Sequence, residues 1–426
     1  MIFGAMRMRS ALVIVSGDGR RYSPLADALV AAMVVSLPWS TSATGIMIAL
    51  WLIVLIALIP NGDLAALWRE VCTAAGGLPI LLWALGAVGM LWADVSWSER
   101  LAGLSGFHKL LVIPILLAQF RAGGRPEWAI LGFLASSAMM LLLSWGLFLT
   151  PGLTWRGSLS PGVAVKDYVL QSTEFTICAC GLLWQATECW RTRRALALAM
   201  LAAAALFVAN VVYVATARTT LVVLPILVAL FGWRRFGWKG VLGVVIVGGV
   251  LAAAAWASSP YLRTRVTTAI TEVQTHTSGD LTAVGLRLDY WKMSLKFVAE
   301  APLIGHGTGT IGNLFRRDAR PASDPMLVSD NPHNQLLAVA IPLGLLGAVV
   351  LVALWIAHLA LFGERSLIAW LGLTIVVQTV VGSLFNSFLF DFSHGWLYVL
   401  GVGIAGGVVL HGRGTVTAAK PATAAR

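Results

Sequence analysis

The sequence predicts an all-α, polytopic membrane protein with about 12 transmembrane helices and one large, partly helical loop outside the membrane. Three observations carry that reading. Of the 426 residues, 58% are hydrophobic and only 12% are charged, whereas ordinary globular domains carry about 25% charged residues. The mean hydropathy is +0.83, and apolar runs long enough for a bilayer recur along the chain, at about 20 residues per crossing. The 18 tryptophans suit a chain that meets two membrane–water interfaces many times, where indole rings settle.

The same numbers exclude other classes. Apolar content is too high for a fibrous or disordered chain, and four cysteines are too few for a disulfide framework. Cys72, Cys178, Cys180 and Cys189 show no zinc spacing and are read as buried small apolar residues. The net charge of +11 would suggest nucleic acid in a soluble protein. Here its source is the Lys and Arg of cytoplasmic loops, so no nucleic-acid partner is expected.

Taken in order, candidate spans lie near 24–39, 44–60, 76–93, 101–120, 127–150, 168–190, 195–216, 219–233, 238–258, 333–361, 366–390 and 395–411. Residues 1–22 lack a long apolar run and a small-residue cleavage site, so they read as a cytoplasmic extension rather than a signal peptide. Residues 23–258 hold the first nine spans, 259–332 form the large loop, 333–411 hold the last three spans, and 412–426 form a cytoplasmic tail read as disordered. Basic residues such as Arg69, Arg121, Arg125, Arg191, Arg193, Arg194, Arg234, Arg235 and Arg365 gather on one set of connections. The positive-inside rule therefore places both termini in the cytoplasm and the large loop outside.

Ionisable residues within a bilayer are costly and usually functional. On this orientation Lys109, Gln171, Glu174, Asn210, Tyr213, Arg218, His333, Asn334, Asn386 and Asp391 all fall toward the outer side, and the cytoplasmic halves carry little that is comparable. A transporter should instead concentrate polar groups at the midplane. An outward-facing active site is the better reading.

The loop supplies further candidates. Arg263 and Arg265 precede a helical stretch, and Arg287 and Trp291 stand four apart on one face of a second. That helix ends before Pro302, and Gly305-His306-Gly307-Thr308-Gly309 reads as a flexible turn; no strand precedes it, which rejects a dinucleotide site. Acidic and basic residues nearly balance, so no polyanion patch is expected. An arginine fork fits phosphate oxygens bidentately, which makes Arg218, Arg287 and one of Arg263 or Arg265 candidates for holding a pyrophosphate. Arg316, Arg317 and Arg320 read as solvated surface.

Three islands, Ala217-Arg218-Thr219-Thr220-Leu221, Arg287-x-x-x-Trp291 running into Pro302-Leu303-Ile304-Gly305-His306-Gly307, and Pro332-His333-Asn334-Gln335-Leu336-Leu337, occur in the order in which the O-antigen ligase family carries them. The chain resembles that family of bacterial inner-membrane proteins in motif over about 200–340 and in architecture over most of its length. The resemblance implies a glycosyltransferase in lipopolysaccharide biosynthesis with its large loop and active site in the periplasm. It would move O-antigen polysaccharide from undecaprenyl pyrophosphate to a sugar hydroxyl of lipid A–core. Arg218, Arg287 and His333 match the family's essential arginines and histidine, and Asp391 is similar to a family acidic position.

That chemistry needs charge stabilisation at the leaving group and a base for the acceptor hydroxyl. Arg218 and Arg287, with Arg265 or Arg263, are assigned the first role, and His333 the second, oriented by Asn334 or Asp391. Lys109, Trp291 and Glu174 join them as candidate substrate-binding residues. Direct attack would invert the anomeric carbon. No metal or other cofactor is expected, because the outer-side acids are scattered. Membrane lipids are the surrounding partners. An O-antigen polymerase and a protein O-oligosaccharyltransferase share the islands and stay open as alternatives, and a permease or lipid flippase is the rival of a different class.

Overall fold

Seventeen α-helices are described: α1 (Pro24–Ser36), α2 (Thr41–Leu58), α3 (Leu64–Val71), α4 (Ala74–Val88), α5 (Trp97–Ser105), α6 (Val112–Arg121), α7 (Pro126–Leu149), α8 (Tyr168–Cys189), α9 (Arg194–Tyr213), α10 (Arg218–Phe236), α11 (Trp238–Ser258), α12 (Pro260–Gln274), α13 (Ala283–Glu300), α14 (Ile311–Asp318), α15 (Gln335–Leu361), α16 (Leu367–Gly382) and α17 (Phe392–Ala418). The structure is a computed structural model describing residues 24–58, 64–150, 152, 155, 161–165, 167–275, 282–318 and 328–418. It contains no strand among those residues. The expected extension at 1–22 lies outside them, as do 276–281 and 319–327 of the large loop.

By length and composition, seven helices can cross a membrane: α4 with its 3-10 continuation to Leu91, and α7, α9, α10, α11, α15 and α17. An eighth candidate is the pair α5 and α6, bent by 48° at the break between them. Shorter apolar helices, α1, α2 and α16, occupy three further predicted intervals. The remaining interval holds α8, whose first turns carry Gln171, Ser172, Thr173, Glu174 and Thr176. The predicted fourth span is therefore not one straight helix. Its break places Lys109 in a 3-10 turn, His108–Leu111, rather than on a regular helix face.

The main core gathers aliphatic and aromatic side chains from α1, α4, α6, α15, α16 and α17, with Trp184 and Trp370 stacked 5.4 Å apart where α8 meets α16. A second cluster joins α7, α8 and α9 around Phe175 and Phe207. Polar groups pin connections onto this frame. Gln171 donates to Ser144 Oγ, Gly162 O and Asn210 Oδ1 and accepts from Ala164 N, so it fastens the connection between α7 and α8. Ser172 Oγ donates to Ala215 O, which fixes the buried turn leading into α10.

The large interval folds into α12, α13 and α14 joined by a turn, and that turn is not flexible. Gly305, Gly307 and Gly309 have φ of +69°, +94° and +96°. A Cβ on Gly305 would stand 2.5 Å from Leu343 N, and one on Gly307 would stand 2.5 Å from Ala93 Cα. The glycines let the turn seat against a break in α15, where Gly344 leaves helical geometry at φ +63°. There His306 N donates to Ile341 O at 3.0 Å and Gly307 N to Pro342 O at 2.9 Å, using carbonyls that the break releases. The glycines serve close backbone approach, which corrects the expectation of flexibility.

Two other expectations change. The end of the bundle opposite His333 does carry buried polar groups. Glu70, fully buried, takes Arg121 at 2.9 Å; Asp27 accepts from Gln119 at 2.8 Å; His358 lies between the Tyr398 hydroxyl and Ala75 O. Each is paired, which satisfies the cost of burying it. At the C-terminus, α17 continues to Ala418 instead of ending at 411, held where Arg413 donates to Glu364 at 2.6 Å and to Leu361 O at 2.9 Å. The cysteines are free, with Cys178 and Cys180 buried but Cys72 exposed.

Candidate functional site

The first candidate arginine opens a helix. Arg218 is the first residue of α10, after the buried turn 214–217. Its guanidinium pairs with Glu272 of α12 at 3.2 Å. The same carboxylate oxygen accepts from Val284 N at the start of α13 at 3.3 Å, so one acid ties α10, α12 and α13 together. Arg287, one turn further along α13, lies close enough to Arg218 for the two charges to oppose each other, with Glu272 and Tyr168 also near. Burial, foremost, and the Arg218 charge pull its pKa below the usual arginine value, against the opposing pull of Tyr168 and Glu272; the group stays cationic at any working pH.

The two loop arginines differ in their contacts. Arg265 of α12 sits over the rings of Tyr168 at 5.2 Å and Tyr261 at 5.6 Å, and its buried Nε has no hydrogen-bond partner among the described residues. Tyr168 thus links Arg265 to Arg287. Arg263 turns the other way, donating to Trp256 O and Ala257 O, both at 2.7 Å, where α11 ends. Arg263 caps a helix; Arg265 faces the arginine group.

His333 also lies near enough to Arg287 to feel its charge. Its ring stacks on Tyr290 at 5.8 Å and 20°, and Tyr290, three residues after Arg287, shares that face of α13. Trp291 Nε1 donates to His333 O at 3.4 Å. His333 is the only non-glycine residue among those described with positive φ, at +52°, a conformation rare outside glycine that other contacts must enforce. Asn331 Oδ1 accepts from His333 N at 2.8 Å and from Ser387 Oγ at 2.7 Å. His333 Nδ1 meets Asn386 Oδ1 at 3.1 Å. Burial and the Arg287 charge lower the His333 pKa below 6.5, against the opposing pull of Asn386. The ring is therefore neutral at physiological pH.

Asn334 and Asp391, expected to orient His333, have other hydrogen bonds. Asn334 caps α15 by accepting from Leu337 N at 3.1 Å and donates to Leu384 O at 3.1 Å. Asp391 accepts from His394 N at 2.9 Å and meets His394 Nδ1 at 3.0 Å, at the start of α17. The orienting residue is Asn386, visible in the sequence as a polar residue ending span eleven but without an assigned role. Lys109 donates to Phe390 O at 3.2 Å and Asp391 O at 2.7 Å, so it holds the turn that carries Asn386 and Asp391. Glu174 is fully buried, and among the described residues neither carboxylate oxygen is hydrogen-bonded. It lies about 9 Å along α8 from Tyr168, at 1.5 Å per residue. Among the described residues no three His, Cys, Asp or Glu side chains converge as a metal-binding group.

Glu272, Tyr168, Tyr290, Asn331 and Asn386 are the residues that sequence reasoning left without roles. Asn331 had a local signal, as the Asn-Pro turn ahead of His333, and Asn386 stood out as a polar residue at the end of a span; Glu272, Tyr168 and Tyr290 become neighbours through the fold alone. Arg287 lies near both Arg218 and the His333 imidazole, and Arg265 shares the neighbour Tyr168 with it. Such a site suits an anion with paired phosphates beside a group that must lose a proton.

These features describe an all-helical protein with several membrane-spanning candidates, in which arginines and a histidine come together from α10, α12, α13 and the turn before α15. Residues 202–352, from α9 into the middle of α15, match the family model described as O-antigen ligase. The matched stretch contains Arg218, Arg265, Arg287 and His333, and it bears out the resemblance seen in the three islands. No curated protein matches the chain.

Proposed function

We propose that the chain is an inverting, metal-independent glycosyltransferase of the bacterial inner membrane. On this reading twelve spans carry the active site on the periplasmic side. It moves O-antigen polysaccharide from undecaprenyl pyrophosphate to a sugar hydroxyl of lipid A–core. The observation that carries the reading is that Arg218, Arg287 and His333 lie near enough for Arg287 to act on both, while Arg265 rests on Tyr168, which also neighbours Arg287.

The acceptor oxygen attacks the anomeric carbon as its bond to the pyrophosphate oxygen breaks. Undecaprenyl pyrophosphate leaves with the bonding electrons, and the acceptor hydroxyl proton passes to His333 Nε2. The arginines offset the charge that grows on the leaving oxygen, which is where preorganised donors contribute most. A neutral base is ready to accept, and Asn386 holds its tautomer as orienting partners do in other histidine sites.

Purified protein in detergent, mixed with polysaccharide-linked undecaprenyl pyrophosphate and lipid A–core in excess EDTA, tests this. A ladder on lipid A–core, absent with His333→Ala, supports the ligase. Longer chains remaining on undecaprenyl would replace it with a polymerase. No glycan transfer, with substrates shown to be competent, would reopen the transporter reading.

A further inference from the structure

The turn 302–305, which leads from α13 into the glycine-rich segment, presents apolar side chains outward. Leu303 is 72% exposed and Ile304 53%. Its backbone is nevertheless engaged: Leu345 N donates to Pro302 O at 2.8 Å, Leu346 N to Leu303 O at 3.3 Å, and Gly305 N to Ala301 O at 3.2 Å. Irregular backbone stands at membrane depth only where protein supplies partners for its polar groups, and the break in α15 supplies them.

Two helices that are long and apolar enough to cross a membrane, α4 and α15, change character at the level of this turn. The break at Gly344 divides α15. Before it, Gln335 and 338–344 are buried; after it, Leu345, Leu346, Val349, Val352 and Ile356 are exposed. The hydrogen bonds hold Leu303 beside the first of these exposed apolar residues. Along α15 runs α4 in the opposite direction. Ala75 O meets His358 Nε2 at 2.9 Å near one end, and Gly89 lies against Leu343 near the other. The 3-10 continuation of α4 ends at the exposed Leu91, and Trp92 Nε1 then donates to Gly305 O at 3.3 Å. Indole rings settle at the membrane–water boundary.

An exposed apolar patch marks a partner, and continuity with the exposed apolar face of α15 identifies that partner as lipid. Charge limits the depth. Glu300, which ends α13 just before the turn, pairs with Arg317 at 2.8 Å, and Lys296 pairs with Asp318 at 2.6 Å. Headgroups accommodate such charges and hydrocarbon does not.

We propose that residues 302–305 insert into the bilayer where headgroups meet acyl chains, and so anchor the C-terminal end of α13 to the membrane. The same helix carries Arg287 and Trp291, and Trp291 Nε1 donates to His333 O. The anchor thereby fixes the height of that site above the hydrocarbon. It rests on α4 and α15 crossing a membrane and is independent of the glycosyl-transfer chemistry.

The test places one environment-sensitive fluorophore, NBD, on the full-length protein in phosphatidylcholine–phosphatidylglycerol nanodiscs. The background is Cys72→Ser with Cys189→Ser, which removes the two cysteines that are not buried. Labels at Leu303→Cys and Ile304→Cys, both exposed positions, are compared with Val349→Cys on α15 and with Gln274→Cys, exposed at the end of α12. Lipids with a nitroxide near the headgroup should quench the Leu303 and Ile304 positions about two-fold more than lipids with a nitroxide near the chain end, as insertion by about 5–10 Å requires. Iodide in the water should barely reach either position. Val349 should show the opposite nitroxide preference, and Gln274 should respond to iodide. Iodide quenching at Leu303 and Ile304 equal to that at Gln274, with Val349 quenched by lipid, would overturn the anchor and leave the spans intact. Protection of both turn positions from lipid nitroxide and iodide alike would also overturn it, because protein would then cover the turn. A Val349 label that no nitroxide lipid quenches would overturn the anchor together with the membrane-spanning reading of α15. Each outcome is read without glycan transfer, so failure of the transferase reading stays distinguishable.

Discussion

His333 and Asn386 meet through one hydrogen bond of 3.1 Å between Nδ1 and Oδ1, and its direction is determined by a neighbour. The backbone N–H of Ser387 donates to the same Asn386 atom at 2.9 Å, which identifies that atom as the carbonyl oxygen. The imidazole must then donate through Nδ1, leaving the Nε2 lone pair free to take a proton. Asn386→Leu keeps the side-chain bulk and removes the acceptor. Turnover should fall about 10²-fold or more, since losing the partner that sets a catalytic histidine's tautomer costs up to about 10⁴. Single-turnover kinetics at saturating substrate measure it, and an unchanged rate would remove Asn386 from the mechanism.

The pH profile follows from the same pair. His333 has its pKa below 6.5 because burial and the Arg287 charge disfavour the imidazolium. The base form is lost only as pH falls through that lowered value, so kcat/KM should stay flat from neutral pH to below 6.5. Asn386→Asp places an anion on Nδ1, stabilises the imidazolium and should move the acid limb upward. A limb at the same pH in both proteins would show that another group titrates.

Arg263 and Arg265 are two residues apart but point to different duties. Arg263→Ala removes a cap on the last carbonyls of α11 and should lower thermal stability, with turnover changed less than about three-fold. Arg265→Ala removes a guanidinium resting on Tyr168. Hydrogen bonds to charged groups contribute about 1.5–3 kcal/mol, so kcat/KM for the donor should drop about 10- to 100-fold. Equal effects of the two substitutions would contradict the assignment.

What the sequence disclosed follows physical range. Helical spans are local properties of apolar runs, and each of the twelve predicted intervals contains a helix. Arg218, Arg287 and His333 were legible because a bilayer makes charge conspicuous, and because their islands resemble those of a family. The break in span four was not legible; beside it Gly103 and Gly106 lie against Gly309 and Phe390 from far along the chain, contacts that no local pattern announces. Asn386 was visible as a polar residue, yet its partnership with His333 spans 53 positions and no spacing rule encodes it. The glycine-rich turn misled for a related reason: glycine permits both freedom and close contact, and only the partner backbone of α15 tells them apart.

Glu272 holds Arg218 at 3.2 Å with both side chains partly exposed. A carboxylate in this position competes with phosphate for the same fork. Glu272→Gln keeps the Val284 N–H contact but removes the charge. Donor KM should fall two- to five-fold at low ionic strength, and the gain should shrink at high salt as screening weakens surface electrostatics. A donor KM that rises instead would mean that Glu272 positions Arg218 rather than competing for it. Stability should change little, because pairs this exposed contribute about 0–1 kcal/mol.

Gly305 and Gly123 separate backbone strain from close contact. Both have positive φ, +69° and +98°, but a Cβ on Gly123 meets nothing within 4 Å. Gly123→Ala should therefore cost only the conformational strain of about 1–3 kcal/mol. Gly305→Ala adds a collision with the backbone of Pro342, Leu343 and Gly344, atoms that cannot rotate away as a side chain would. Overpacking of that kind costs about 1–3 kcal/mol more. The turn would have to leave the break in α15, releasing the hydrogen bonds from His306 N and Gly307 N. Because α15 begins at Gln335, directly after His333 and Asn334, its displacement should reach the site. Thermal unfolding in detergent should show Gly305→Ala melting well below Gly123→Ala, with a larger loss of turnover below both transitions. Matching melting temperatures would mean that the turn is not seated against α15.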